Sequence, residues 1–321
     1  MAKEIQIFCT LGPKTLNKKF LNNIKGKVSL LRINLSHVSL NKLKQNIDLI
    51  KKYTSVPICV DTEGAQIRTK SPKKKYYRKN QIGYIEKNKN FHLYPNDVFE
   101  KLKTGDMLDI GFQNLLIKIL KKDSKIKFKV IKPGILEGNK GVHVKNRGVK
   151  LNSLTEKDLS AIKIAKKMNV KNFALSFTNS HYDVLNFEKL LPNYTKIYKL
   201  ETRNAIKNLN KILSKGKNFL IDRGDLSKDT GIENIPYLQR FILKKAKKRK
   251  NKIYIATNFL ESMIDNSSPT RGEANDVYNS LELGAAGLVL AAETAIGKYP
   301  LESINFLRRM IKVFKNRKKI G

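Results

Sequence analysis

The chain has no tryptophan, and only two cysteines and four histidines in 321 residues. Two cysteines cannot build a disulfide framework or a four-thiolate zinc site, and four scattered histidines disfavour a His-rich metal centre. No apolar run approaches the roughly 18 residues needed to cross a bilayer as a helix. There is no GxxxxGK[ST] loop, no GxGxxG after a strand, and no HExxH or CxxC. The familiar nucleotide and zinc signatures are therefore missing. Acid is also scarce: 27 Asp and Glu stand against 65 Lys and Arg, a formal charge of +38.

That excess concentrates in "KSPKKKYYRKN" (70–80), "ILKKAKKRKNK" (242–252) and "FKNRKKIG" (314–321). It reads as a solvated surface in a chain rich in Lys, Asn and Ile. A polyanion-binding role, nucleic acid included, is the alternative reading. Either way a basic field draws in phosphorylated ligands. Cys9 and Cys59 both sit in apolar strand-like runs, and "MAKEIQIFCT" leads straight into a strand pattern. A cytoplasmic protein with reduced thiols and no membrane partner is expected.

Short apolar strands alternate with amphipathic helices. The strands are expected at 5–10, 28–36, 57–63, 172–177, 197–201, 219–225, 253–258 and 287–293. Eight such units, apolar on both faces, predict a (β/α)8 barrel over 1–69 and 153–321. An open doubly wound sheet is the structural alternative. Polar residues favour the barrel because they gather at the C-terminal ends of the strands: Thr10, Asn34, Ser36, Asp61, Thr62, Ser176, Lys199, Glu201, Arg223, Asp225, Thr257, Asn258, Glu293 and Thr294. That is the rim where barrel enzymes keep their chemistry. Residues 70–152 break the rhythm with alternating runs such as "NLLIKILKKDSKIKFKVIK" and turns at "KTGD", "KPG" and "EGNKG". They predict a small all-β domain inserted after the third strand, suited to act as a lid.

Within "IYKLETRNAI" (197–206), Lys199 and Glu201 fall on one strand face, beside Ile197. Glu201 and Asp225, at the ends of neighbouring strands, are candidates to hold one Mg²⁺ or Mn²⁺ through oxygen ligands. Lys199 could stabilise charge on a transferring group, and Arg32 and Arg68 could fork onto phosphate. An internal Lys199–Glu201 ion pair without catalytic meaning is the simpler reading of that pair taken alone.

"CTLGP" (9–13), "RINLSH" (32–37), "DTEGAQIRT" (61–69), "LTEKD" (154–158), "SF" (176–177), "KLE" (199–201), "RGDL" (223–226), "PTRGEANDV" (269–277) and "ETAIGKYP" (293–300) together resemble the signature blocks of the pyruvate kinase family, in order and in spacing. The resemblance spans essentially the whole chain. It implies the barrel with a β-rich lid, and phosphoryl transfer from phosphoenolpyruvate to ADP giving pyruvate and ATP. By the same resemblance Glu201 and Asp225 hold Mg²⁺, and Lys199 stabilises the transferring phosphoryl group. Arg32, Ser176, Gly224, Asp225 and Thr257 surround phosphoenolpyruvate, with Lys199, Arg32 and Thr257 as the catalytic set. Asn34, Ser36, Asp61 and Thr62 correspond to a K⁺ site; Asn34, His37, Arg68 and Lys140 correspond to nucleotide contacts. A homodimer through barrel helices remains open, and no counterpart of the family's C-terminal regulatory domain is expected.

The chain departs from the family in places. "DTKGPEIRT" reads "DTEGAQIRT", so Glu63, Ala65 and Gln66 stand for Lys, Pro and Glu, which leaves K⁺ dependence open. The acidic pair before Gly111 keeps only Asp109, with Ile110 beside it. Asn179 replaces a basic residue, and Asp222 replaces the Ala before "RGD". Two alternatives follow: a barrel that binds an enolpyruvate or 2-oxo acid without using ADP well, and a basic protein with no enzymatic role.

Overall fold

A computed structural model describes residues 4–71, 73–111, 114–145 and 147–316. Pro72 of the first basic run, and the basic tail from Arg317 on, lie outside the described residues. The chain forms two compact units, one of residues 1–64 with 156–321 and one of residues 65–155. The second takes in the strand Ile67–Lys70, ahead of the start expected at 70.

In the first unit, eight strands close into a barrel: β1 (Gln6–Thr10), β2 (Leu30–Asn34), β3 (Ile58–Asp61), β4 (Asn172–Leu175), β5 (Thr195–Leu200), β6 (Asn218–Asp222), β7 (Lys252–Ala256) and β8 (Gly287–Leu290). Every neighbouring pair is parallel, and β8 returns to β1 with Gln6 opposite Gly287. The open-sheet alternative is thereby excluded. No described helix is long and apolar enough to cross a membrane.

Side-chain alternation explains where the site lies. Phe8, Leu30, Cys59, Ala174, Ile197, Leu220, Tyr254 and Val289, one from each strand, form a single apolar cluster. A residue two places further along a strand points the same way. The next layer toward the C-terminal ends therefore holds Thr10, Arg32, Asp61, Ser176, Lys199 and Asp222, followed by Ala256 and Ala291. A polar layer rests directly on an apolar floor. On the outer face Tyr198, Leu200, Phe219 and Ile221 are fully buried.

One boundary differs from the sequence expectation. β6 stops at Asp222, and Arg223–Thr230 is already helix. Asp225 thus sits in the first helical turn rather than at a strand end. An acid is favoured there because the helix start carries partial positive charge.

The second unit is built on a seven-stranded antiparallel sheet. Its order is Ile82–Ile85, Ile126–Lys132, Leu115–Lys122, Met107–Ile110, Gly141–Val144, Ile67–Lys70, His92–Tyr94. Its core includes Ile117, Ile119, Phe128 and Val130. Phe128 lies opposite Gly83, and a methyl at Gly83 would meet the Phe128 ring at 2.3 Å. The glycine makes room for the ring, which also packs edge-on to Phe91. Phe128→Ala should destabilise this unit by about 3–5 kcal/mol. Its urea midpoint, followed by circular dichroism, should fall sharply; an unchanged midpoint would show that the ring is not the keystone of this core.

Candidate active site

Lys199 lies on the inner face of β5 and is 4% exposed. Its ammonium is 2.7 Å from Glu201, 3.4 Å from Asp61 and 3.5 Å from Asp222. It also donates to Ser176 Oγ at 3.2 Å. Asp61 in turn faces Arg32 at 2.8 Å. Two buried cations are thus set among three buried carboxylates, with Asp225 a fourth at the edge. Burial works against the Lys199 charge, but Asp61, Glu201 and Asp222 more than offset it and keep the ammonium protonated. Asp222, despite burial, is held below its ordinary range by Lys199 and Arg32.

Glu201 behaves oppositely. Burial, with Asp222 and Asp225 close by, pushes its carboxyl from 4.5 up to about 8 against the pull of Lys199. Ligand oxygens of Glu201, Asp222 and Asp225 all lie within 4.8 Å of one another. Two unit charges 4.8 Å apart repel by about 3–4 kcal/mol at an effective dielectric near 20. One oxygen of Glu201 accepts the amide of Phe177 at 2.5 Å. The other is paired with the Lys199 ammonium. Arg32 Nη1, a buried donor, has no hydrogen bond among the described residues. A carboxylate oxygen crowded by other carboxylates and a spare guanidinium donor in one cluster suit a divalent cation at the first and a phosphate at the second.

The far wall is made by the start of helix Arg223–Thr230 and the end of β7. Thr257 has φ +70° and Asn258 +57°. Left-handed backbone is costly for a β-branched residue. Arg223 supports it: Nε and Nη2 donate to the Thr257 carbonyl at 3.0 and 2.6 Å. Nη1 grips Asp276 at 2.7 and 2.9 Å, and the guanidinium stacks on Phe259. The Thr257 hydroxyl accepts from the Gly224 amide at 2.8 Å and lies 3.2 Å from Asp222.

The remaining expected residues fall as follows. Ser176 bridges β3 and β5, donating to Asp61 or the Thr62 carbonyl. The Asn34 side chain accepts from the Ser36 amide, and exposed His37 turns the chain after β2. Arg68 and Lys140 belong to the smaller unit. There they flank one strand pairing, with Arg68 opposite Gly141 and Lys140 locked to Thr69 in both directions. Glu63, where the family has Lys, pairs with Lys157 at 3.2 Å, and Asp158 accepts the amides of Glu63 and Gly64. Asn179 accepts from the Thr202 hydroxyl. Cys9, pushed up to about 12 by burial, and Cys59, raised further, are inert thiols. Asp222 is the site residue that the motifs did not mark. Counting two from inward Leu220 would have found it.

A protein-family model for the barrel domain of pyruvate kinase matches residues 2–304. The pyruvate kinase of Thermotoga maritima is 32% identical over 97% of this chain and 71% of its own length. That of Methanocaldococcus jannaschii is 30% identical over 98% of this chain and 70% of its own. The chloroplastic isozyme G of Nicotiana tabacum is 29% identical over 95% of this chain, which spans 58% of that protein.

The raised Glu201 group links stability to pH. The folded protein holds that proton to about pH 8, whereas an unfolded chain releases it near 4.5. Its contribution to stability is full below the lower value and is lost as pH rises through the upper one. A divalent cation bound at Glu201 would replace the proton. Mg²⁺ should therefore raise the melting temperature more at about pH 8.5 than at about pH 6. Glu201→Gln should abolish that difference; an equal Mg²⁺ shift at both pH values in the parent protein would refute the linkage.

Proposed function

The chain belongs to the pyruvate kinase family of phosphotransferases, and we propose that it carries out the family reaction, phosphoryl transfer from phosphoenolpyruvate to ADP. The observation that supports this most is the buried Lys199 ammonium held beside the spare donor of Arg32 and the clustered carboxylates of Glu201, Asp222 and Asp225.

Pyruvate kinases generally depend on Mg²⁺ and K⁺. Glu201 and Asp225 would hold the divalent ion, Mg²⁺ or Mn²⁺, which when bound neutralises phosphoryl oxygens and lines up the reactants. The chain's own groups do the rest. Arg32 takes the phosphate of phosphoenolpyruvate with its spare nitrogen, while its other side stays on Asp61. Lys199 lies where charge spreads over the transferring group, so it favours the transition state over the ground state. The Gly224 amide and the Thr257 hydroxyl, bonded to each other at 2.8 Å at a helix start, would open onto the substrate carboxylate. As the enol oxygen–phosphorus bond breaks, an oxygen of the ADP β-phosphate forms the new one. The enolate left behind takes a proton at its methylene carbon and leaves as pyruvate. No side chain is needed as a covalent nucleophile, which accords with the inert thiols.

Arg68 and Lys140, in the smaller unit, are assigned as nucleotide-phosphate contacts, and Asn34 and His37, in the barrel, as further nucleotide contacts. The K⁺ site of Asn34, Ser36, Asp61 and Thr62 is a weak one, because Asp61, its one charged donor, already faces Arg32 and Lys199. The two free buried thiols accord with a reducing cytoplasm. The reaction needs no nucleic-acid or membrane partner.

The test is pyruvate formation from phosphoenolpyruvate and ADP with Mg²⁺, in K⁺ and in Na⁺ alone. Turnover of about 1 s⁻¹ or more is expected in both salts. Lys199→Met should lower kcat at least about a hundredfold. Folded protein with no turnover in either salt would move the assignment to a barrel that binds an enolpyruvate or 2-oxo acid without using ADP.

A further inference from the structure

Asp222 is a charged side chain that the reaction described above leaves unused, although it projects into the centre of the site. It follows inward-facing Leu220 by two residues on β6 and is buried to 4% exposure. Its carboxylate takes hydrogen bonds from the Thr257 hydroxyl, at 3.2 Å, and from the Asp225 backbone amide, while its cation partner, Lys199 Nζ, stands off at 3.5 Å. The short contact of Lys199, at 2.7 Å, goes to Glu201. The Thr257 hydroxyl lies closer to the Ala256 carbonyl, at 2.6 Å.

Asp225 presents a contrast. It is half-buried, and Lys228 reaches its carboxylate at 2.9 Å from one turn along the helix. Of the three carboxylates whose oxygens lie within 4.8 Å of one another, the two deeply buried ones are Glu201 and Asp222. Asp225 already has a surface cation of its own.

We propose that Asp222 is a third acidic group of the divalent-cation site, acting with Glu201 to bind the metal and lending it strength that Asp225, shared with Lys228, supplies only in part. This rests on the divalent-cation reading given above. Two consequences follow from charge alone. A third carboxylate facing the ion raises metal affinity in the absence of any substrate. It also makes the empty pocket more negative, so the anionic substrate enters well only after the metal has bound.

The test is titration of the full chain with Mn²⁺ alone, following free Mn²⁺ by electron paramagnetic resonance, with no substrate present. Parent protein, Glu201→Gln, Asp222→Asn and Asp222→Ala are compared, each first shown to be folded by circular dichroism. Asparagine keeps the shape and removes the charge; alanine removes both, so either variant that folds decides the matter. Binding by the parent, loss of binding in Glu201→Gln, and weakening of at least about tenfold in the Asp222 variants are expected. Unchanged Mn²⁺ affinity in the folded Asp222 variants, with binding lost in Glu201→Gln, would overturn the role of Asp222 and leave the divalent-cation site standing. Parent protein that binds no Mn²⁺, or binds it no better than Glu201→Gln, would overturn both.

Discussion

A lysine ammonium buried among three carboxylates is the interaction on which this site is built. Placing any one of those charges alone in a barrel interior would cost several kcal/mol. They are tolerable only together, and even together they do not balance. Lys199 and Arg32 face Asp61, Glu201, Asp222 and, at the rim, Asp225. The imbalance has a direction: it calls for a further cation beside Glu201, while Arg32 keeps a donor for an anion. A phosphoryl-transfer site needs both, a metal and a phosphate held side by side with water excluded.

The fold makes such a cluster affordable through its layering. The apolar ring through Ile197 and Leu220 fills the barrel interior and gives the polar layer a rigid floor. Arg32, Asp61, Lys199 and Asp222 of that layer stand on strands whose neighbours are fixed by parallel pairing, so distances across the site are set by barrel geometry. The elements beyond the strands add what strands cannot. The helix opening at Arg223 places Asp225, and the left-handed turn at Thr257 aims a hydroxyl back at the Gly224 amide. Arg223, clamped between Asp276 and Phe259, touches no other member of the charge cluster among its recorded contacts yet holds that turn in place.

Much of this was legible in the sequence. Eight apolar runs, each ending in polar residues and followed by a helical pattern, sufficed for the barrel. Alternation along "IYKLE" correctly put Lys199 and Glu201 on one face. Asp225 was misplaced because "IDRGD" carries no break between strand and helix, although the strand ends at Asp222 and the helix starts at Arg223. Asp222 was overlooked for a different reason: compared with family motifs it is merely a substitution, whereas the alternation of its own strand marks it as inward. The left-handed turn at Thr257 leaves no trace, since a β-branched residue is the last one expected there. The Glu63–Lys157 pair and the strand order of the smaller unit join residues far apart in the chain, and local pattern is silent about them.

The central claim is that the carboxylates around Lys199 are arranged for a divalent cation. Its most direct test is a crystal structure of the protein grown with Mn²⁺ and examined by anomalous scattering. An ion within about 2.2 Å of a Glu201 oxygen is expected, with the contact between Glu201 and Lys199 lengthened as the metal takes its place. An anomalous map with no peak at Glu201, and Lys199 still 2.7 Å from it, would contradict the account.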